Sequence, residues 1–288
     1  MRPNQKAFAY LEIAFVFSWF PLTIAWFRGA RSSTDAGGAS LLFLLGPPVA
    51  ALTCAWLFEK GQRTSSLGLK MRPNRWWLVA IVLPIAIMVY SRGTASVLGY
   101  WVAPFTDPRT AVAALLKLNP ELLPNGVVGL VIMVTLVTIA SSIIFTLTEE
   151  IGWRGYLYRQ WRQLGFWRYS LVTGLIWGAW HWPMVIYFGV VFSDNRLAGL
   201  AYYPLSTLLL APLMTLLRDK DNSDWAPGIY HGVVNTIGIV LMNDLGRRTT
   251  PEFVTLFLLL PWLLLLGLFR RKWPDQENAA TNVVGSRS

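Results

Sequence analysis

Apolar residues fill blocks of about twenty positions along nearly the whole chain, separated by short polar breaks. A helix of about 20 mostly apolar residues crosses the hydrocarbon of a bilayer, where every backbone polar group must find its partner internally. The pattern predicts about eight such spans, at roughly Ala7–Phe27, Leu41–Phe58, Trp76–Tyr100, Gly126–Thr148, Tyr169–Phe192, Leu200–Leu217, Trp225–Met242 and Phe253–Phe269. Arg2 and Lys6 precede the first block as they would in a signal peptide, but its apolar stretch is too long and carries Glu12, so it is expected to stay as a span. The expected fold is an all-α, polytopic transmembrane bundle over residues 1–274 with an active site inside the membrane. The polar, small-residue tail 275–288 is predicted to be disordered.

Composition agrees. Hydrophobic residues make up 54% of the chain and charged residues 14%, about half the roughly 25% charge of a soluble domain. That excludes a disordered or ordinary cytosolic protein. A net charge of +10 would suggest nucleic acid on a soluble protein. On short loops it suggests an anionic leaflet, so the expected partner is membrane lipid and not nucleic acid. Of the 25 Lys and Arg residues, 17 fall at the N-terminus, in the second, fourth and sixth loops and in the tail. Both termini are therefore expected in the cytoplasm, in a multi-pass protein of the cell membrane. The fourth loop is read as holding Arg154, Arg159, Arg162 and Arg168. In the third loop Asp107 and Pro108 head an apolar stripe through Ala111, Ala114, Leu115 and Leu118, which predicts a short helix on the outer surface. Trp76, Trp77, Trp101, Trp161, Trp167 and Trp273 fall near predicted span ends, the depth that indole rings prefer. The lone cysteine, Cys54, excludes an intrachain disulfide and a Cys-rich zinc module.

Ionisable groups inside spans are costly, which makes each a functional candidate. They concentrate in three places: Glu149, Glu150 and Arg154 at the end of the fourth span, His181 among tryptophans in the fifth, and His231 with Asn235 in the seventh. On an α-helix Glu150 and Arg154 face each other as an ion pair, and Glu149 is turned about 100° away. Pro183 removes a backbone donor just after His181, which predicts a kink there. His231 and Asn235 share a helix face. Taken singly, the glutamates also read as a solvated span end, and the histidines and the asparagine as clasps between helices. Taken together, a carboxylate and an imidazole that deprotonate water, with two donors for an oxyanion, are the parts of a hydrolytic site for amides.

The three stretches resemble the CPBP family, the membrane-embedded type II CAAX prenyl proteases and their bacterial relatives of bacteriocin processing and immunity, also called the Abi family. The resemblance rests on Glu149, Glu150 and Arg154, on Trp177 with His181, and on His231 with Asn235, and covers about residues 126–242. Trp177 stands where the family more often has phenylalanine. The resemblance implies that Glu149 and His181 activate water and that His231 and Asn235 form the oxyanion hole. Glu150, Arg154 and Trp177 would then be structural. It implies an intramembrane endopeptidase acting on a membrane-associated peptide or protein, with no cofactor or metal.

Three rivals share these residues. A zinc peptidase would use both histidines and a glutamate as ligands, though no H-E-x-x-H helix is present. A proton-coupled transporter would use intramembrane Glu and His as a relay, but the first half of the chain offers only Glu12 and Arg92. A non-catalytic binding or immunity protein would retain the fold alone.

Overall fold

The computed structural model describes residues 1–97, 109–110, 112–113, 118–190, 195–242 and 267. The predicted last span apart from Gly267, most of the third-loop helix and the polar tail lie outside the described residues. Among the described residues all regular structure is helical. The principal helices are α1 (Pro3–Phe27), α2 (Gly38–Leu44), α3 (Gly46–Phe58), α4 (Arg75–Val97), α5 (Val127–Phe145), α6 (Tyr158–Trp161), α7 (Phe166–Trp180), α8 (Trp182–Phe188), α9 (Arg196–Asp221) and α10 (Trp225–Met242). A π-helical segment, Thr146–Leu157, joins α5 to α6.

Among the described residues three helical runs are long and apolar enough to cross a membrane: Pro3–Phe27, Val127–Leu164 and Arg196–Asp221. The bent pair α2 and α3 makes a fourth if counted as one span. Only 6% of the apolar stretch in the second run is buried, and Val127, Val131, Leu136 and Ile139 stand outward on α5. A helix this apolar on its exposed side is built for hydrocarbon rather than water. The eight predicted spans thus differ from the helices in detail. The predicted fifth is two shorter helices, α7 and α8, broken at His181, and the apolar part of α4 is Arg75–Ser91.

Prolines set both breaks, and α1 repairs them. In a continuous helix the Phe43 carbonyl would accept from the N–H of residue 47, but Pro47 has none. The axis bends by 46° between α2 and α3, and the Ser18 hydroxyl donates to the Phe43 carbonyl at 2.8 Å. At the second break Pro183 opens α8, and the Met184 N–H turns to the His181 carbonyl at 3.0 Å. That frees the Trp180 carbonyl, which accepts from the Trp19 indole at 3.0 Å. The Trp180 indole closes the set by donating to the Ser18 hydroxyl at 2.8 Å. Without these donors each freed carbonyl would be an unmade hydrogen bond in a dry interior.

α7 lies directly against α9. A Cβ on Gly178 would overlap the backbone of Pro204, and one on Gly174 would come within 2.9 Å of the Thr207 carbonyl. Close backbone approach at small residues spaced by four is how helices associate where hydrophobic force is weak. The Thr207 hydroxyl donates to the Gly174 carbonyl at 2.7 Å across this seam. Gly178→Ala is therefore expected to lower the thermal unfolding midpoint in detergent, with an overpacking cost of about 1–3 kcal/mol. Gly93→Ala, where a Cβ meets open space on α4, should be neutral or slightly stabilising. Equal effects of the two changes would refute the close approach.

Candidate active site

The π-helical segment carries both glutamates. Such i→i+5 winding is rare and recurs at functional sites. The sequence pattern ends the span at Thr148 and puts Arg154 in a basic loop. Instead the chain stays helical past Leu157, and Arg154 is 1% exposed. The arginine remains inside because a carboxylate meets it there: Glu150 Oε2 lies 3.1 Å from Arg154 Nη1. Trp161, expected at headgroup depth, is likewise buried, with its ring edge-on to Phe8.

Glu150 has a second partner on another helix. His231 Nδ1, on α10, stands 2.8 Å from Glu150 Oε1. The carboxylate read as belonging to Arg154 alone is thus shared with the histidine. Glu149 is not left bare either, since its Oε2 accepts from the Trp177 indole at 2.7 Å. A helical wheel shows only partners on the same helix, so it missed both contacts.

Trp177, on α7, joins the parts. Its carbonyl lies 2.9 Å from His181 Nδ1, its ring face is 4.5 Å from the Arg154 guanidinium carbon, and its ring meets His231 edge-on at 5.3 Å. A phenylalanine would keep the ring but could not donate to Glu149. The carbonyl can only accept, so His181 Nδ1 carries the hydrogen and Nε2 presents a lone pair. The same argument puts a hydrogen on His231 Nδ1 against Glu150. Its Nε2 then donates only when the ring is imidazolium. Each imidazole also has a stacked ring, Tyr203 on His181 at 4.5 Å and Phe145 on His231 at 4.2 Å.

Glu149, Trp177, His181, His231 and Asn235 all line one cavity of about 540 Å³. The rest of its wall is mostly apolar or aromatic, including Phe43, Leu44, Met184 and Tyr202. Glu150 and Arg154 stand behind this wall. Tyr203 and the α2 residues carry no motif, and no signal in the sequence marks them. The cavity can therefore offer a carboxylate, an imidazole lone pair and an amide to an apolar ligand that enters it.

Residues 109–237 match the family model described as type II CAAX prenyl endopeptidase Rce1-like. The match spans somewhat less than half of the chain, and this segment is Rce1-like. No curated protein matches the chain. The Rce1-like segment contains every residue named above as a candidate, from Glu149 to Asn235, and ends within α10. It leaves α1 to α4 outside, although α2 contributes to the cavity wall. An Rce1-like segment on apolar helices supports a protease (hydrolase) role and an integral membrane protein.

Glu150→Gln and Arg154→Gln should each lower the detergent-phase unfolding midpoint strongly, because breaking a buried pair costs about 3–5 kcal/mol. Replacing both with apolar residues of similar size, as in Glu150→Leu with Arg154→Met, should recover much of that loss. Single variants that melt like the wild type would contradict a matched, buried pair.

Proposed function

We propose that the chain is an intramembrane endopeptidase that hydrolyses a peptide bond of a membrane-associated peptide or protein. The observation that carries the reading is the convergence of Glu149, His181, His231 and Asn235 on one mostly apolar cavity within the Rce1-like segment. The Glu149 carboxylate and His181 Nε2 take a proton from water, and the resulting hydroxide attacks the scissile carbonyl carbon. The Asn235 amide and the His231 imidazolium donate to the oxyanion that forms, where a preset donor is worth most. Glu150 accepts from the Nδ1–H of that ring and so fixes its orientation. Collapse of the tetrahedral intermediate breaks the C–N bond, and the proton gained from water passes to the leaving amine.

Apolar and aromatic cavity walls suit a substrate segment drawn from the membrane rather than from water. The same reading takes the bundle to cross the cell membrane eight times with both termini cytoplasmic, so that the basic loops face the anionic leaflet.

Glu149→Gln and His181→Ala are expected to abolish cleavage of a peptide library while leaving the unfolding midpoint close to wild type. Asn235→Ala should lower kcat by about 10² to 10³ with KM little changed, as expected for a group that acts on the transition state. A loss of stability large enough to account for the lost activity would make Asn235 an interhelical clasp instead.

A zinc site is the chemical alternative. Among the described residues no group of three His, Cys, Asp or Glu side chains is placed to hold one ion. Turnover is expected to survive exhaustive chelation. Activity lost on chelation and restored by zinc would replace water activation by Glu149 with metal catalysis.

A further inference from the structure

Two donors compete for the carbonyl that precedes His181. In a continuous helix the Trp180 carbonyl would accept from the Met184 N–H, but that N–H is turned to the His181 carbonyl at 3.0 Å. The Trp19 indole on α1 takes the vacated position, 3.0 Å from the Trp180 oxygen. Pro183 does not force this exchange, because the donor it lacks is the one owed to Ala179, one residue earlier. The choice between Trp19 and Met184 decides whether the helix stays broken.

The same face of α1 grips the far side of the break. Positions 19, 23 and 26 are four and three apart, so their side chains lie together along one face. The Thr23 hydroxyl donates to the Trp19 carbonyl at 2.9 Å, which uses its one hydrogen. The Tyr187 hydroxyl, 3.0 Å away on α8, is therefore the donor to Thr23. Trp26 stacks on the Tyr187 ring, with centroids 5.6 Å apart and planes 21° apart. Two turns of α1 thus hold the last residue of α7 and the last turn of α8, with His181 between them. The His181 ring has a fixed pose at that joint: Nδ1 is 2.9 Å from the Trp177 carbonyl, and Tyr203 stacks with planes 7° apart. Straightening α7 into α8 would return the Met184 N–H to Trp180 and shift the histidine against both partners.

We propose that Trp19 is a positioning residue for His181: by occupying the Trp180 carbonyl, its indole N–H keeps the break open and aims His181 Nε2 into the cavity. The consequence for turnover rests on the protease reading. The consequence for the ring does not.

The full chain in detergent is compared as wild type, as Trp19→Phe, and with Trp19 replaced by benzothienylalanine, the isostere whose sulfur stands where tryptophan has its N–H. With two histidines in the chain, magnetic resonance of the ring nitrogens in histidine-labelled protein is simple to read, and His181→Ala assigns the signals. Wild-type His181 should show the single Nδ1–H tautomer at neutral pH. Both replacements should give mixed tautomers at His181, leave His231 unchanged, and lower kcat by about tenfold or more with KM little altered, as misplacement of a reacting group does. The unfolding midpoint should stay close to wild type, since the Met184 N–H can take back the carbonyl. Trp56→Phe, which removes an indole N–H from the exposed side of α3, should alter neither the tautomer nor kcat. The proposal is overturned if wild-type His181 already shows mixed tautomers, if it keeps the single tautomer in both replacements, or if benzothienylalanine behaves as wild type, which would make ring shape rather than the hydrogen bond the cause. A loss of folded protein that fully accounts for the lost turnover would overturn it too. A wild type that cleaves nothing while the tautomer change is seen would sink the protease reading and leave the positioning of His181 standing.

Discussion

A carboxylate sealed from water has to be matched where it stands, and Glu150 sets that condition for this protein. At 0% exposure it would be prohibitively costly alone. Arg154, on the same segment, supplies the balancing charge, and His231, from the last described helix, supplies a second donor. Meeting both at once draws α10 onto the π-helical segment. It also brings the free face of His231 into the cavity where Glu149 and Asn235 stand. A pair read as structural and a pair read as catalytic are thus one network.

The other half of the site depends on broken helices. His181 reaches the cavity because Pro183 ends one helix and begins another around it. Such a break is tolerated in an apolar bundle only if the freed carbonyls are met by a neighbour. Ser18 and Trp19, adjacent on α1, meet one carbonyl each. This assigns a physical task to the helices that lie outside the Rce1-like segment. They hold the bend of α2 and α3 and the break at His181, and the bend in turn presents Phe43 and Leu44 to the cavity. The small residues of α7 complete the frame by letting α9 come close enough for Tyr203 to stack on His181.

Trp177 illustrates why an aromatic position can do more than fill space. Its ring, its N–H and its carbonyl each serve a different candidate residue. Since phenylalanine offers only the first and third of these, the departure from the more usual family residue changes how Glu149 is held, and not only the size of the pocket.

Much of this was legible in the chain itself. Blocks of apolar residues determined that the fold is helical and suited to a membrane, because hydrocarbon leaves the backbone few choices. The rarity of ionisable groups within those blocks singled out Glu149, Glu150, Arg154, His181, His231 and Asn235, and Pro183 marked the break beside the histidine. Local spacing also paired Glu150 with Arg154, since four residues along a helical turn bring two side chains together. Tertiary structure alone decided the rest. It placed Arg154 inside rather than in a loop, gave Glu149 to Trp177 and His231 to Glu150, and stacked Tyr203 on His181. Each of those contacts joins different helices, and periodicity along one helix carries no information about which neighbour it will meet, or at what height.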